Sequence, residues 1–380
     1  MRVSAWCSRT PYLDHLAPIW AALPEEAKGR VYVHEARWKH ATDLGLSPQR
    51  FSKYQPANEV LLIFSRMEFA VIPQRVPLVF MEHGVGANYG GRSHLVASRN
   101  PNLKRIIAVL TTPAQAPAHR RVFGDRVHVV GCPKLDGWHG YKYTRKRGKR
   151  PVVAFSHHWN QKQYQETRSA WPWDAEAWAR VVESGRYEVV GHKHPGDPRN
   201  IEGWCKDHGI EFVENFDEVM RQADLYVADN SSTLYEFAAT GRPVVVLSPP
   251  FYRRDVNHGI RFWDHVSGVE CAIADHLGAC IEEALKDVPA RKAIRQSAVE
   301  AVYGPLDGRA AERCVEVLMG LDLKSLRTVN VKTQPIVQRT GLLTFRHTDT
   351  GQIVSVPAAS SRVGRYQRSG WEPVIGGATP

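Results

Sequence analysis

The first 130 residues contain short apolar runs separated by more mixed segments. After a strand-like N-terminus, the runs occupy residues 31–33, 60–64, 77–81, 106–110 and 127–130. Continuous apolar runs are typical of strands that are buried on both faces of a parallel sheet, and the mixed segments between them can supply crossover helices. The pattern therefore predicts a Rossmann-like α/β domain over residues 1–145.

A second set of apolar runs follows a basic stretch at residues 141–150, which we interpret as a domain boundary. These runs occupy residues 152–155, 187–190, 211–213, 225–228 and 244–247, and residues 290–321 have a largely helical pattern. We predict a second Rossmann-like domain over residues 151–322. Two such halves joined by a hinge are the GT-B layout. Because ligands bind at the carboxyl ends of parallel strands, we expect the site in the cleft between the halves.

The pattern changes again near residue 323. Residues 342–346 and 353–356 flank a turn at residues 349–351, which predicts a β-hairpin, and residues 361–371 combine arginines with aromatic side chains. We predict a small, basic, β-rich appendage over residues 324–380 that lies outside the core. Such a tail could recruit an acceptor or a partner, or it could support folding.

The composition is that of a globular protein. The 380 residues are 43% hydrophobic and 23% charged, and no apolar run is long enough to span a bilayer. The N-terminus lacks a signal-peptide core, and the six cysteines are scattered without a CxxC pair. We therefore expect reduced thiols, a cytoplasmic location and no structural zinc site.

The formal net charge of +11 bears on the partners of the protein. A strongly basic chain favours a polyanionic acceptor, a nucleic acid, or peripheral contact with an anionic membrane surface. A basic soluble enzyme with none of these partners is an equally open interpretation.

The most informative segment lies between two apolar runs, at residues 229–243. A turn that contains Ser231, Ser232 and Thr233 follows a predicted buried strand and opens a helix. Hydroxyl groups and unpaired backbone N–H groups at the start of a helix can bind a phosphate. Glu236 lies one turn further on, within reach of a ribose. This arrangement predicts an enzyme that binds a nucleotide diphosphate, and helix capping by the serines is the simpler alternative.

Two histidines follow predicted strands, where a side chain can reach the cleft. His83 comes after the run that ends at Met81, and an imidazole there could act as general base on an acceptor hydroxyl. His194 precedes a proline, so it should remain in a loop, where it could stabilise a leaving pyrophosphate as a cation or as a hydrogen-bond donor. Metal binding by His192 and His194 has little support, because no cysteine or carboxylate lies nearby in the sequence.

A late helix provides two further candidates. Asp307 would cap this helix, and Arg309 and Arg313 would share one of its faces. These arginines could clamp a phosphate or pair with surface acids. The loop at residues 255–259 is a weaker candidate for the donor pocket.

Five motifs in chain order resemble those of the CDP-glycerol glycerophosphotransferase family, the teichoic-acid primases and polymerases of Gram-positive bacteria. The resemblance covers roughly residues 80–315. The matching residues are His83-Gly84, the G-x-P-[RK]-x-D segment from Gly131 to Asp136, His194-Pro195, the D-x-S-S segment with Asp229, Ser231 and Ser232, and the D-G-x-[AS]-x-x-R segment from Asp307 to Arg313.

This resemblance implies a GT-B enzyme that transfers glycerophosphate from CDP-glycerol to a hydroxyl of a teichoic-acid-like polymer. It also implies that His83 is the base, that His194, Ser231 and Ser232 contact the pyrophosphate, and that Arg313 belongs to the donor-phosphate motif. We expect no metal and no separate cofactor, because hydroxyls, histidine and helix N-termini can take the charge of the leaving group.

Other functions remain open at this point. Residues 236–243 also resemble the ribose-binding segment of UDP-sugar glycosyltransferases and UDP-GlcNAc 2-epimerases, so a UDP-sugar donor or an isomerase is an alternative. The first half lacks the set of carboxylates that epimerase chemistry usually needs. The tail is similar to short tails of phage-encoded proteins, which leaves a DNA- or virion-modifying glycosyltransferase, or a nucleic-acid-binding protein, as a third possibility.

Overall fold

The computed structural model describes residues 1–51, 59–72, 76–85, 101–144, 148–160, 168–252, 264–322, 342–347, 353–357 and 371–373. The chain divides into two units, residues 1–331 and 332–380. Within the described ranges, no helix combines the length and the apolar composition that crossing a bilayer requires.

The first half of the larger unit is a parallel sheet with the strand order β3-β2-β1-β4-β5-β6-β7. Its strands are β1 (Arg2–Cys7), β2 (Lys28–Val33), β3 (Pro48–Arg50), β4 (Glu59–Ile63), β5 (Leu78–Met81), β6 (Ile106–Thr111) and β7 (Val127–Val129). The helices between them are α1 (Thr10–Ala22), α2 (Trp38–Asp43) and α3 (Ala116–Phe123).

Helices cover both faces of this sheet, as the apolar runs predict. Along β4, Val60 and Leu62 pack into the core that contains α1, whereas Leu61 and Ile63 pack into the core that contains α3. Successive side chains of a strand point to opposite faces, so a strand buried on both faces needs a continuous apolar run.

The second half is another parallel sheet, with the order β10-β9-β8-β11-β12-β13. Its strands are β8 (Val152–Ser156), β9 (Glu188–Gly191), β10 (Glu211–Phe212), β11 (Leu225–Ala228), β12 (Val244–Leu247) and β13 (Val269–Cys271). Its helices are α4 (Ala175–Glu183), α5 (Ile201–Asp207), α6 (Phe216–Gln222), α7 (Ser232–Ala238), α8 (Leu277–Leu285), α9 (Pro289–Tyr303) and α10 (Ala310–Met319).

The prediction of two α/β halves with parallel sheets is confirmed. The sequence does not predict β3 and β13, since each is a three-residue edge strand with polar residues and no continuous apolar run. The exact domain boundaries near residues 145–151 and 322–324 stay predictions.

The last helix of the larger unit returns to the first half. Ala311, Cys314 and Leu318 on α10 belong to the same buried core as α1 and β4. Residues 310–319 therefore stabilise the first half, although they follow the second half in the chain.

A carboxylate from the first half caps this helix. Asp136 accepts the backbone N–H groups of Ala310 at 3.0 Å and Ala311 at 2.7 Å. Asp307, the predicted cap, instead accepts the N–H of Arg309 and the guanidinium of Arg313. The expectation was wrong because the partner of the helix start lies more than 170 residues away in the chain.

The described residues of the smaller unit form three antiparallel strands in the order β15-β14-β16. They are β14 (Leu342–His347), β15 (Ile353–Pro357) and β16 (Trp371–Pro373). The predicted hairpin strands are confirmed, and β16 is an addition that the sequence pattern does not predict. The predicted turn at residues 349–351 and the basic residues 361–370 lie outside the described residues.

We predict that Asp136→Ala lowers the free energy of unfolding by about 1–2 kcal/mol, because it leaves two helix N–H groups without their acceptor. Urea unfolding followed by tryptophan fluorescence measures the loss. Asp125→Ala is the matched control, since Asp125 is an exposed aspartate of the same half. Equal midpoints for the two variants would contradict the capping role.

Candidate functional site

The predicted site residues lie in loops that leave the carboxyl edges of the two sheets. His83 and Gly84 follow β5, His194 follows β9, and Ser231 and Ser232 follow β11. The two edges meet here, because a Cβ atom placed on Gly84 would lie only 2.9 Å from the Oγ of Ser232. A larger residue than glycine would therefore require the Ser232 hydroxyl to move.

A backbone carbonyl fixes the orientation of the His83 ring. Nδ1 of His83 lies 2.7 Å from the carbonyl oxygen of Phe64. Since a carbonyl can only accept, Nδ1–H is the donor, and Nε2 of the neutral ring is the proton acceptor. The ring is half-buried beside Tyr12, with the two ring centroids 4.6 Å apart. This tautomer is the one that a base acting through Nε2 requires.

Two buried side chains hold the backbone of the His83–Gly84 turn. His15 Nε2 donates to the His83 carbonyl at 3.1 Å, and Gln115 Nε2 donates to the Gly84 carbonyl at 2.7 Å. Burial, together with the charges of Lys134 and His83, lowers the pKa of His15 to about 3, so His15 is a neutral donor. Sequence reasoning missed both residues, because nothing local to them marks the contact.

His194 has the complementary tautomer. Its Nδ1 accepts the backbone N–H of Gly196 at 3.0 Å, so the proton of the neutral ring is on Nε2. Burial and the neighbouring His158 lower the pKa of His194 to about 4, with smaller contributions from Arg9 and His83. Of the two roles that the sequence left open, the geometry favours an uncharged hydrogen-bond donor in the unliganded protein.

The aspartate of the D-x-S-S motif has a structural role. Asp229 is buried, and its carboxylate accepts the N–H groups of His158 at 2.7 Å and Ala170 at 2.9 Å. These bonds join the loop that follows β8 to the loop that follows β11. Asp229 therefore positions the loop that carries His158, whose ring centroid is 6.1 Å from that of His194.

The three hydroxyl residues at the start of α7, Ser231, Ser232 and Thr233, differ in their surroundings. The Thr233 hydroxyl is within 2.9 Å of the Tyr226 hydroxyl and within 3.0 Å of the Ser231 hydroxyl. Ser231 occupies the N-cap position of α7 without a capping hydrogen bond from its side chain. The simple capping interpretation therefore does not describe this turn, and Ser232 is the residue that borders Gly84.

Glu236 lies one turn beyond Ser232, as predicted, and is ion-paired. Its Oε2 is 2.7 Å from Nζ of Lys134, and both side chains are almost fully buried. The nearby carboxylates of Glu236 and Asp14 raise the pKa of Lys134 against the opposing effect of burial. Lys134 also lines a cavity of about 340 Å³ between α1 and α6. A ribose-binding role of Glu236 stays a prediction, and it would require competition with Lys134.

The two arginines of the late helix have their contacts near α10. The exposed Arg309 pairs with Glu312 at 2.7 Å. Arg313 donates from Nε to the Val130 carbonyl at 2.9 Å and from Nη1 to Asp307 at 2.7 Å. Arg313 thus joins α10 to the end of β7, and the predicted phosphate contacts of both arginines stay predictions.

The remaining candidates are the loop at residues 255–259 and a metal site at His192 and His194. The loop at residues 255–259 lies outside the described residues. Within the described ranges, no group of three His, Cys, Asp or Glu side chains is arranged to hold a metal ion. His192, the other histidine of the G-H-K-H segment, is buried with Nδ1 3.0 Å from the Ser156 hydroxyl.

The sequence from residue 108 to residue 320 matches the family model described as CDP-Glycerol:Poly(glycerophosphate) glycerophosphotransferase. The chain belongs to this family. The match includes His194, Ser231, Ser232 and Arg313 and begins after His83. Comparison with curated proteins gave no significant match.

Solved structures with the same architecture include members of two enzyme groups. A putative UDP-N-acetylglucosamine 2-epimerase from Listeria monocytogenes has a TM-score of 0.55 at 16% identity, covering 84% of this chain and 95% of that one. A variant of the wall teichoic acid polymerase TagF has a TM-score of 0.56 at 10% identity, covering 86% and 89%. A complex of S. aureus MnaA with UDP has a TM-score of 0.55 at 15% identity, covering 83% and 95%.

These similarities confirm the GT-B fold, and at such low identity they show the fold alone. The family match confirms the function class, an enzyme that transfers a group from a nucleotide-diphosphate donor. The epimerase alternative has less support, because it rests on a shared fold and on the short segment at residues 236–243, without a family match.

We predict that the His194 ring of the glycerophosphotransferase stays uncharged down to about pH 5, one unit above its pKa of about 4. Inorganic pyrophosphate should raise this pKa, because an anion favours the charged form of the ring. A pH titration of the histidine ¹⁵N signals measures both values, and His194→Asn identifies the signal. A midpoint near the ordinary histidine value in the unliganded protein would contradict the prediction.

Proposed function

We propose that this enzyme transfers glycerophosphate from CDP-glycerol to a terminal hydroxyl of a poly(glycerophosphate), teichoic-acid-like acceptor. The observation that supports this most directly is the contact between the His83–Gly84 turn and Ser232. It brings Gly84, the neighbour of the candidate base His83, close to the hydroxyl of Ser232 from the other half. The family description names this donor and polymer class, and one TagF variant was solved after a soak with CDPG.

His83 acts on the acceptor side of the reaction. Its Nε2 removes the proton from the acceptor hydroxyl as the oxygen attacks the phosphorus that carries glycerol. The P–O–P bond of the donor breaks, and CMP leaves with the electron pair of the bridging oxygen. The Phe64 carbonyl keeps Nδ1 protonated throughout, so that Nε2 is the nitrogen that accepts the proton.

His194, Ser231 and Ser232 act on the donor side. The Nε2–H of His194 and the two hydroxyls can donate hydrogen bonds to the pyrophosphate oxygens as negative charge shifts onto CMP. An initially neutral imidazole gains a proton more readily once the pyrophosphate is bound, which strengthens the same hydrogen bond. We propose that these groups support the reaction without a divalent metal ion.

We predict that His83→Asn lowers kcat with CDP-glycerol by about 10²–10⁴-fold, the usual effect of losing a general base. The affinity for CDP should change little, since the donor contacts belong to the other half. Release of CMP in the presence of EDTA and a glycerophosphate oligomer measures turnover, and calorimetry measures CDP binding. His276→Asn, a change at an exposed histidine, is the control.

Two outcomes would contradict this function. If His83→Asn turns over at the rate of the control, His83 is not the general base. Turnover of UDP-N-acetylglucosamine with CDP-glycerol left intact would replace the proposed donor by a UDP-sugar. Activity that EDTA abolishes and magnesium restores would overturn the metal-free proposal alone.

We further propose that the basic tail from Lys324 onward recruits the polyanionic acceptor. Deleting residues 324–380 should leave CDP binding and donor hydrolysis intact and should weaken transfer to a long glycerophosphate polymer. The difference should shrink as salt rises, because screening weakens charge attraction. Rates with long and short acceptors at several salt concentrations measure this. A truncated protein that melts several degrees lower would point to a folding role for the tail instead.

A further inference from the structure

A buried carboxylate lies beneath the candidate base. Glu68 is in a short 3-10 helix, Arg66–Ala70, between β4 and β5, and only 2% of it is exposed. Its Oε1 accepts the N–H of Ser8 at 3.0 Å, and its Oε2 accepts the N–H groups of Phe64 at 2.9 Å and Ser65 at 3.2 Å. A carboxylate with three backbone donors is a strong constraint on the loops that supply them.

One peptide group connects Glu68 to His83. In the peptide between Phe64 and Ser65, the N–H donates a hydrogen bond to Glu68, and the carbonyl oxygen accepts one from Nδ1–H of His83. The order of groups is therefore carboxylate, peptide, imidazole. Hydrogen bonds in such a chain polarise one another, so a negative charge at the N–H end strengthens the carbonyl as an acceptor.

We propose that Glu68 is a positioning residue that acts through the Phe64–Ser65 peptide to keep His83 in its Nδ1–H tautomer and its Nε2 basic. The proposal rests on the proposed role of His83 as base. It gives the peptide the role that a carboxylate has when it directly orients a catalytic histidine.

The ionisation of Glu68 fits this role at slightly basic pH. Burial raises the pKa of Glu68 to about 7, although its backbone N–H donors lower it. The titratable groups that face it are the Cys7 thiol at the end of β1 and the Tyr12 hydroxyl on α1. Burial raises the pKa of both groups, and the charge of Glu68 raises each of them further. Above about pH 7 the carboxylate form predominates and can accept all three N–H groups.

The second half has an equivalent device, which supports a positioning role. Asp229 follows β11 and bonds the loop after β8, just as Glu68 follows β4 and bonds the loop after β1. β4 and β11 occupy corresponding places, since each lies beside the first strand of its own sheet. In each half, a buried carboxylate thus joins the loops of two neighbouring central strands.

The test compares Glu68→Gln with Glu59→Gln at pH 8. Glu59 is the matched control, because it is a buried glutamate at the opposite end of β4. In Glu68→Gln, the NH₂ group of the amide would face a backbone N–H donor, and the negative charge that polarises the Phe64–Ser65 peptide would be lost. We therefore expect kcat with CDP-glycerol to fall about 10–100-fold. KM and the melting temperature should change little, and Glu59→Gln should keep kcat within about twofold of wild type.

Nitrogen NMR of the full-length protein gives a readout that does not depend on turnover. His83 should be the Nδ1–H tautomer in the wild type and a mixture of tautomers in Glu68→Gln, with His83→Asn identifying the signal. An unchanged kcat in Glu68→Gln would overturn the proposal. So would an unchanged tautomer together with a lowered melting temperature, which would indicate a folding role.

If Glu68→Gln does not fold, the wild-type spectrum still tests the proposal, because an Nε2–H tautomer of His83 would overturn it. Failure of the proposed function can be distinguished from failure of the proposal for Glu68. It would appear as undiminished turnover in His83→Asn, whatever tautomer the wild type shows.

Discussion

Buried and half-buried carboxylates that accept backbone N–H groups connect the loops around the candidate site. Asp136 accepts two N–H groups of α10, Asp229 accepts those of His158 and Ala170, and Glu68 accepts three around β1 and β4. A hydrogen bond to a charged group contributes roughly 1.5–3 kcal/mol. These contacts fix the positions of the loops that follow the strands, and the two histidines that we propose for the reaction lie in or beside those loops.

This constraint changes how the family motifs are interpreted. Asp136, Asp229 and Arg313 are motif residues, yet their side chains bond the protein backbone and so assemble the site. The motif residues that we propose to contact substrates are His83, His194 and the serines. A motif with an aspartate next to two serines thus combines a structural residue with ligand candidates, and only the contacts separate the two.

Much of the fold was predictable because burial on both faces of a parallel sheet demands continuous apolar runs, as in β4, β5 and β6. The edge strands β3 and β13 were not, since a short edge strand needs no such run. At the site, the sequence located His83 and His194 at strand ends, where the topology exposes loops. It could not give the Lys134–Glu236 pair, whose members are 102 residues apart, or the contacts of Glu68. Such pairs depend on how distant segments pack, which no local pattern encodes.

The two histidines have opposite tautomers, and therefore opposite proposed roles, for the same physical reason. Each ring has one nitrogen committed to the backbone: Nδ1 of His83 donates to a carbonyl, and Nδ1 of His194 accepts an amide N–H. His83 is therefore left with an acceptor at Nε2 and His194 with a donor. A base must accept a proton, and a pyrophosphate ligand must donate a hydrogen bond. The backbone contacts thus set each tautomer to suit its proposed role before any substrate binds, so the proposed reaction needs little reorganisation as charge develops.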